Sequence, residues 1–346
     1  MYSTIRDVLF KFDAERVHYF SMNTLKAALR SEYIKSILAK QYQFHSPSLQ
    51  KQLLGLSFRN PVGIGAGFDK NALYLNELET LGFGFAEVGT VTPLPQEGNE
   101  KPRLFRLSKD KAIINRMGFN NDGVKAVANR LRNRRSTIIV GGNIGKNKNT
   151  PNEDAWRDYE KCFSELADCV DYFVINVSSP NTPGLRELQE KPALMRIFSQ
   201  LQLLNQKQFK PRPLLLKIAP DLTIGQVDDI IELAGDVGLD GLVATNTTVS
   251  RDHLLTDATT IQQIGSGGLS GQPLKEKSTE IVKYIHQQTG GNLPIIGSGG
   301  IFTGTDAQEK LNAGASLLQV WTGFIYEGPT IVKKICMHLQ AQPSAR

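Results

Sequence analysis

From residue 61 onward, short apolar runs alternate with longer amphipathic stretches. The apolar runs are often rich in β-branched residues, and there are eight of them: 62–66, 83–88, 137–141, 172–177, 214–218, 241–245, 294–297 and 317–321. Continuous apolar strands that alternate with helices are typical of a parallel sheet covered on both faces. Eight such units over residues 61–346 predict one (β/α)8 TIM barrel, an α/β fold, with an open doubly wound sheet as the alternative.

The stretches between the apolar runs predict the helices of this barrel. Their apolar residues recur with the period of a helix that buries one face. The predicted helices cover residues 71–81, 122–131, 154–168, 192–204, 224–237, 277–286, 306–313 and 329–339. The spacing of the units is uneven, so the pattern is not a sequence repeat.

Residues 1–40 precede the first unit and predict a small N-terminal helical extension. The apolar side chains of its first helix fall on one face: Ile5, Val8, Leu9 and Phe12. A second helix is predicted to begin at residues 23–24, again with one apolar side. Residues 41–60 are predicted to be a connector to the barrel.

This extension is more basic than the rest of the chain. It carries seven Lys and Arg against four Asp and Glu, and the difference, 7 − 4 = +3, is half of the net charge of +6. Short basic amphipathic helices can lie on an anionic membrane surface. They can equally pack on the main domain as a helical hairpin, and the periodicity leaves both interpretations open.

The composition is that of a soluble globular protein, with 40% hydrophobic and 21% charged residues among 346. A pI near 9.1 fits an anionic ligand, an anionic membrane or nucleic acid without choosing among them. Cys162, Cys169 and Cys336 lack C-x-x-C spacing, so we expect neither a zinc site nor a disulfide framework. We also expect no membrane-spanning helix and no secretory signal.

Polar side chains and glycines follow most of the predicted strands, where a barrel of this class carries its chemistry. They occupy residues 65–70, 89–93, 142–147, 176–182, 245–248, 297–300 and 321–323. The carboxamides of Asn176 and Asn181 both donate and accept hydrogen bonds, which suits a flat polar heterocycle. A turn stabilised by its own Asn and Ser side chains is the simpler alternative.

Lys217 stands inside an apolar strand, where an unpaired charge is costly. It is predicted either to form a buried ion pair or to hold an anionic or electron-rich ligand. Glycine-rich turns at 265–271 and 297–300 would let backbone N–H groups approach a phosphate. Of five His, only His253 is predicted in a loop at the barrel mouth, which favours an organic cofactor over a metal centre or a Ser-His-Asp triad.

A series of motifs in this order resembles class 2 dihydroorotate dehydrogenase. The motifs are GAGFDK (65–70), GTVTP (89–93), NRMGFN (115–120), NIGKN (143–147), NVSSPNT (176–182), KIAPD (217–221), TNTT (245–248) and GGLSG (267–271). The segment AERVHYF at 14–20 resembles the quinone-site extension that separates class 2 from the soluble class 1 enzymes. The resemblance runs from about residue 5 to residue 335.

The resemblance implies an FMN enzyme of pyrimidine (UMP) biosynthesis, with one FMN per chain and no metal. Such an enzyme oxidises (S)-dihydroorotate to orotate and passes the electrons to a membrane quinone. The expected location is the cytoplasmic side of a bacterial inner membrane, with residues 1–40 on the anionic surface. No nucleic-acid partner is expected.

The resemblance also implies roles for individual residues. Ser179 matches the catalytic base, and His18 is the candidate for a quinone hydrogen bond. The implied substrate contacts are Lys70, Asn115, Arg116, Met117, Gly118, Phe119, Asn176, Asn181, Asn246 and Thr247. The implied flavin contacts are Ala66, Gly67, Phe68, Asp69, Lys70, Thr90, Asn143, Asn176, Lys217, Thr245, Gly271, Gly300, Trp321 and Thr322.

One departure from the family pattern falls at Trp321-Thr322, where the family usually has Tyr-Ser. Thr322 keeps a hydroxyl, but Trp321 replaces a phenol with an indole, so a contact through a phenolic oxygen is in doubt. Two other functions remain as alternatives. One is another FMN barrel, a dihydrouridine synthase acting on tRNA, and the other is a non-catalytic phosphate-binding barrel docked to membranes.

Overall fold

The computed structural model describes residues 2–342, which contain thirteen α-helices and thirteen strands. The helices are α1 (Tyr2–Leu9), α2 (Ala14–Ala28), α3 (Glu32–Tyr42), α4 (Leu75–Thr80), α5 (Val124–Arg132), α6 (Ala155–Leu166), α7 (Lys191–Gln206), α8 (Ile224–Asp236), α9 (Ala258–Ile264), α10 (Lys275–Gln288), α11 (Gly304–Asn312), α12 (Thr322–Glu327) and α13 (Ile331–Ala341). The strands are β1 (Lys51–Leu53), β2 (Leu56–Phe58), β3 (Val62–Ile64), β4 (Phe85–Val91), β5 (Leu104–Leu107), β6 (Ala112–Asn115), β7 (Ile139–Ile144), β8 (Tyr172–Asn176), β9 (Leu214–Ile218), β10 (Gly241–Ala244), β11 (Gly268–Gly271), β12 (Ile295–Ser298) and β13 (Leu317–Val320).

Eight of these strands close into a barrel, as the sequence predicts, so the open doubly wound sheet is wrong. In order around the barrel they are β3, β4, β7, β8, β9, β10, β12 and β13, with β13 returning to β3. Each neighbouring pair is parallel. Every residue of β4 and β9 is buried, because the helices cover the outer face while side chains fill the interior.

An antiparallel hairpin of β1 and β2, inside the predicted connector, plugs the amino-terminal end of the barrel. Its turn places Leu54 at φ 56° and Gly55 at φ 69°. Phe58 is fully buried and meets the ring of Phe85 edge-on, with centroids 5.4 Å apart. An added Cβ at Gly63 would collide with the Phe85 ring, so glycine makes room for this aromatic plug. The carboxyl end is therefore the end left for a site.

A small antiparallel sheet of β5, β6 and β11, which the sequence analysis did not predict, stands at the carboxyl end. Strand β6 ends at Asn115 and leads into the 115–119 segment. Strand β11 contains the second half of the glycine-rich turn at 265–271. This sheet therefore brings two of the candidate motifs to the barrel mouth.

The N-terminal extension contains three helices, and the predicted helix start at residues 23–24 is wrong. Helix α2 begins at Ala14, because the Asp13 carboxylate accepts a hydrogen bond from the Arg16 N–H at 2.9 Å and caps it. The break before α3 falls at Ser31, whose hydroxyl caps that helix.

Both interpretations of the extension find support in its packing. Met22 and Leu29 are buried, and the Tyr2 hydroxyl donates to the Ile325 carbonyl at 2.7 Å, so the helices pack on the barrel. Much of the predicted apolar face of the first helix nevertheless stays exposed, for example Val8 at 53% and Phe12 at 62%. Over residues 2–342, no helix combines the length and apolar character needed to cross a bilayer.

Replacing Phe58 should reveal how much the plug stabilises the barrel. Phe58→Ala leaves a cavity beneath the strands, and we expect it to lower the free energy of unfolding by about 3–5 kcal/mol. Phe209→Ala is the matched control, since that side chain is fully exposed and should change stability by less than about 0.5 kcal/mol. Chemical denaturation monitored by circular dichroism measures both, and equal stabilities would contradict the role of the plug.

Candidate active site

A cavity of about 480 Å³ lies at the carboxyl end of the barrel and extends between the N-terminal helices. Strand ends, the small sheet, and helices α1 and α2 all contribute to its wall. The candidate residues that line it are His18, Ala66, Gly67, Phe68, Lys70, Thr90, Asn115, Met117, Gly118, Phe119, Asn176, Ser179, Asn181, Lys217, Thr245, Asn246, Thr247, Gly271, Gly300, Trp321 and Thr322. The fold thus brings most of the predicted site to one continuous space.

Three candidates lie behind this wall. Asn143 is fully buried and forms a layer beneath the cavity. The Asp69 carboxylate accepts hydrogen bonds from the N–H groups of residues 73 and 74, each at 2.8 Å, and so shapes its own loop. The Arg116 guanidinium donates to carbonyls of residues 264, 266 and 102, and lies over the Phe105 ring.

Lys217 forms a buried ion pair, as the first alternative predicts, and it also lines the cavity, so its contact with a ligand stays a prediction. Its ammonium lies 3.2 Å from the carboxylate of Glu87, which is fully buried on β4. The same carboxylate accepts hydrogen bonds from Asn143 Nδ2 at 2.6 Å and from Gln319 Nε2. Sequence reasoning missed Glu87, although a carboxylate inside the apolar run at 83–88 is the same signal that singled out Lys217.

The carboxamides are held in fixed orientations by one another. Asn176 Nδ2 donates to Thr90 Oγ1 at 2.8 Å, and that hydroxyl donates to Asn143 Oδ1 at 2.6 Å. On the other side, Asn181 Nδ2 donates to Asn115 Oδ1 at 3.0 Å. Such mutual contacts fix which edge of each amide faces a ligand.

Ser179 and Ser178 point into different surroundings. Ser179 is 6% exposed, and its Oγ accepts a hydrogen bond from the Asn181 N–H at 3.3 Å. In the part of the chain that the structure describes, neither a His nor a carboxylate hydrogen-bonds to this hydroxyl. Ser178 Oγ accepts from Asn246 Nδ2 at 3.0 Å and belongs to the amide network. Ser179 is thus the serine left available to a ligand.

Two basic side chains in the cavity wall have lowered pKa values. Burial lowers the pKa of Lys70 to about 8, against the opposing charge of Glu15, and the ammonium donates to the Gly67 carbonyl at 2.9 Å. Burial and the charge of Lys70 lower the pKa of His18 to about 4, so this imidazole is neutral at pH 7. Its ring meets Phe68 edge-on at 4.7 Å, in the part of the cavity between the helices.

Another part of the cavity wall consists of glycine turns and Trp321. Gly271 and Gly300 have φ values of 110° and 71°. A Cβ at Gly300 would collide with the Lys275 backbone, so only glycine allows this turn. The Trp321 ring meets Phe68 edge-on at 6.0 Å, and the hydroxyls of Thr322 and residue 270 are 2.8 Å apart.

These residues fit the FMN that the sequence implies. Gln319 Oε1 is buried at the cavity wall without a hydrogen-bond partner in the described structure, and an amide-type N–H of a heterocycle would satisfy it. Lys217 supplies a cation, and the glycine turns expose backbone to a phosphate. Sequence reasoning missed Gln319, because a single amide in an apolar strand gives no motif.

A barrel mouth of this chemistry belongs to the α/β-barrel oxidoreductases. The chain is a member of the dihydroorotate dehydrogenase family, because residues 48–342 match the family model described as "Dihydroorotate dehydrogenase".

The comparisons with individual proteins agree with this assignment. A Christiangramia forsetii protein named dihydroorotate dehydrogenase (quinone) is 53% identical over 96% of both chains. A Gloeobacter violaceus protein of the same name is 50% identical over 98% of this chain and 94% of its own. The structure of DHODH from Eimeria tenella in complex with ferulenol is 40% identical, covers 90% of each chain and superposes with a TM-score of 0.80.

Removing the carboxylate of the buried pair should destabilise the protein strongly. Glu87→Gln leaves the Lys217 ammonium buried without a counter-charge, and we expect a loss of about 3–5 kcal/mol in the free energy of unfolding. Asp168→Asn, in the exposed pair of Asp168 and Arg132, is the matched control and should cost less than about 1 kcal/mol. Chemical denaturation distinguishes the two, and a Glu87→Gln protein as stable as wild type would contradict the prediction.

Proposed function

We propose that this chain oxidises (S)-dihydroorotate to orotate in UMP biosynthesis, with one FMN as cofactor and a membrane quinone as electron acceptor. The observation that carries the proposal is the single cavity. It joins Ser179, the carboxamides and Lys70 at the strand ends to a part that is lined by residues of α1 and α2. A quinone and a polar substrate can therefore both reach one cofactor.

The substrate is recognised by its charge and by its ring edges. Lys70 offers a positive charge to the carboxylate of dihydroorotate. The remaining proposed substrate contacts are Asn115, Arg116, Met117, Gly118, Phe119, Asn176, Asn181, Asn246 and Thr247. Arg116 lies behind the cavity wall, and its side chain, N–H and carbonyl all bond to neighbouring loops, so we assign it the role of holding the 115–119 segment in place. A wrong ligand leaves buried amides without hydrogen-bond partners, which lowers its affinity. Recognition of the ring edges therefore gives specificity.

Ser179 is the proposed base for the proton at C5 of the substrate. Its hydroxyl is oriented by the Asn181 N–H, and its burial excludes bulk water from the reacting atoms. When bound, FMN supplies the acceptor for the hydride that leaves C6. Serine is a weak base, so the hydroxyl proton must leave through a further group at the site.

The residues proposed to hold FMN are those that the sequence implies. They are Ala66, Gly67, Phe68, Asp69, Lys70, Thr90, Asn143, Asn176, Lys217, Thr245, Gly271, Gly300, Trp321 and Thr322. Asp69 and Asn143 act from behind the wall, the first by shaping the 65–70 loop and the second by orienting Thr90. Lys217 would place a positive charge beside the cofactor when it is bound.

The N-terminal extension is the proposed route and anchor for the quinone. His18 is neutral and lines the part of the cavity beside α2, so it is the proposed candidate for a hydrogen bond with the quinone. Exposed apolar side chains and a net charge of 7 − 4 = +3 over residues 1–40 suit an anionic membrane surface. We place the protein at the cytoplasmic face of a bacterial inner membrane, with no nucleic-acid partner.

The flavin spectrum of the purified protein tests this function. We expect a yellow protein that dihydroorotate bleaches under anaerobic conditions and that a quinone reoxidises. A colourless protein that binds phosphate would favour the non-catalytic barrel. A yellow protein that ignores dihydroorotate, but that uridine in tRNA reoxidises after chemical reduction with dithionite, would favour the dihydrouridine synthase.

Ser179→Ala should slow the chemistry without emptying the site. The flavin content and the affinity for orotate should stay close to wild type, while the rate of flavin reduction falls by roughly 10²–10⁴, the usual effect of losing a general base. Ser178→Ala is the matched control, and its rate should fall by less than about tenfold because its hydroxyl serves the amide network. Stopped-flow absorbance measures both, and near-wild-type reduction in Ser179→Ala would remove this residue from the mechanism.

The affinity for orotate should depend on the protonation of Lys70. Its pKa of about 8 means that the ammonium is lost as pH rises through that value, so the site then loses its charge for the carboxylate. We expect a dissociation constant that is constant from about pH 6 to 7.5 and rises toward tenfold per pH unit above 8. Titrations with Lys70→Met should show weaker binding without this rise, whereas a Lys70→Met protein that binds orotate as tightly as the wild type would exclude Lys70 as the carboxylate ligand.

A further inference from the structure

Glu15 of the N-terminal extension forms a buried ion pair with Arg103 of the barrel. Both residues are 6% exposed. The Glu15 carboxylate accepts hydrogen bonds from Arg103 Nε at 3.0 Å and from Nη2 at 2.7 Å. Burial opposes ionisation of Glu15, but the hydrogen bond and charge of Arg103 outweigh it and lower the pKa of this carboxyl. The pair is therefore ionised at neutral pH.

The remaining nitrogen of the guanidinium holds a turn. Arg103 Nη1 donates to the Glu97 carbonyl at 2.6 Å and to the Asn99 carbonyl at 2.9 Å. The planar, rigid fork of arginine allows it to meet a carboxylate on one side and two carbonyls on the other. Among residues 2–342, Glu15 is the only carboxylate paired with Arg103.

This turn packs directly against the proposed substrate segment. A Cβ at Gly98 would collide with the Met117 carbonyl oxygen and lie 2.9 Å from Arg103 Nη1, so the turn is clamped between them. The Asn99 N–H donates to the Met117 carbonyl at 3.1 Å. Its side-chain Nδ2 donates to the carbonyls of Arg116 at 3.0 Å and Asn181 at 3.3 Å. Asn99 thus holds together two segments whose side chains line the cavity.

We propose that Glu15 and Arg103 are positioning residues for dihydroorotate, so that the extension proposed to serve the quinone also completes the substrate site. This inference rests on the function proposed above. Without the carboxylate, the guanidinium is buried and unpaired, and it withdraws from the turn to reach water. The 115–119 segment and Asn181 then lose their common support, and the affinity for the substrate falls.

The test compares orotate affinity with flavin content in the holoprotein. In Glu15→Gln we expect the dissociation constant of orotate and the KM for dihydroorotate to rise by roughly 5- to 50-fold, the usual range for coupled sites. The limiting rate of reduction should change less than the KM, because the turn reaches Ser179 only through Asn181. The flavin content should not change, because neither residue touches the glycine turns. Arg103→Lys keeps the charge but cannot bind all three partners, so it should weaken orotate in the same way.

Lys101→Met is the matched control. The Lys101 ammonium also lies near Glu15, 3.9 Å from its carboxylate. The Lys101 side chain is 68% exposed, however, and its ion pair does not hold the turn. Its loss should leave the orotate affinity unchanged. Arg103→Lys keeps both charges of the pair, so it separates the loss of the held turn from the effect of the Glu15 charge on Lys70.

A reciprocal measurement separates positioning from simple stabilisation. Because linkage is mutual, orotate should slow hydrogen exchange of the backbone amides of α2 in the wild type. In Glu15→Gln this protection by orotate should disappear, whereas a merely structural residue would raise exchange equally with and without the ligand.

The outcomes distinguish this inference from the proposed function. Orotate affinities of Glu15→Gln and Arg103→Lys within about twofold of wild type would overturn the inference and leave the function intact. Protection of α2 by orotate that is as strong in Glu15→Gln as in the wild type would overturn the inference as well. A wild-type protein that neither binds orotate nor is bleached by dihydroorotate would instead remove the proposed function itself.

Discussion

The buried pair of Lys217 and Glu87 is the interaction on which the carboxyl end of the barrel depends. It spans the interior between β9 and β4, strands that are not neighbours, and the carboxylate also binds side chains from β7 and β13. A charge in this place is stable only with its partner, so four strands are committed to one polar arrangement. Asn143 connects Glu87 to the amide network above it, so this layer also fixes the orientation of that network.

The periodic parts of the fold could be predicted from the sequence because burial on both faces leaves a plain signal. The strand at Leu214–Ile218 and the helices of the barrel follow from apolar runs alone. The hairpin at Lys51–Phe58 could not, since its strands have three residues each, which is too short to show a hydrophobic period. The small sheet was missed for a similar reason: β11 consists of glycine, leucine and serine, which give no strand pattern.

The residues of the candidate site also divide into those that the sequence pattern could reveal and those that it could not. Residues in contiguous motifs, such as Ser179 and Asn176, were found because their neighbours in the sequence identify them. Glu87 and Gln319 are single polar residues in apolar strands, and only the closed barrel shows that they meet. The Glu15–Arg103 pair joins residues 88 positions apart, so neither periodicity nor spacing could reveal that the extension contacts this part of the barrel.

The aromatic plug at the amino-terminal end of the barrel determines the side from which molecules can enter. The side chains of Phe58, Phe85 and Tyr172 fill the barrel axis at its amino-terminal end, so molecules can enter the barrel only from the carboxyl end. Every molecule that reaches the chemistry must arrive and depart on the side that the N-terminal helices partly cover. The polar and apolar reactants of the proposed function would therefore share that side, and a change in the packing of the helices would alter the access of both.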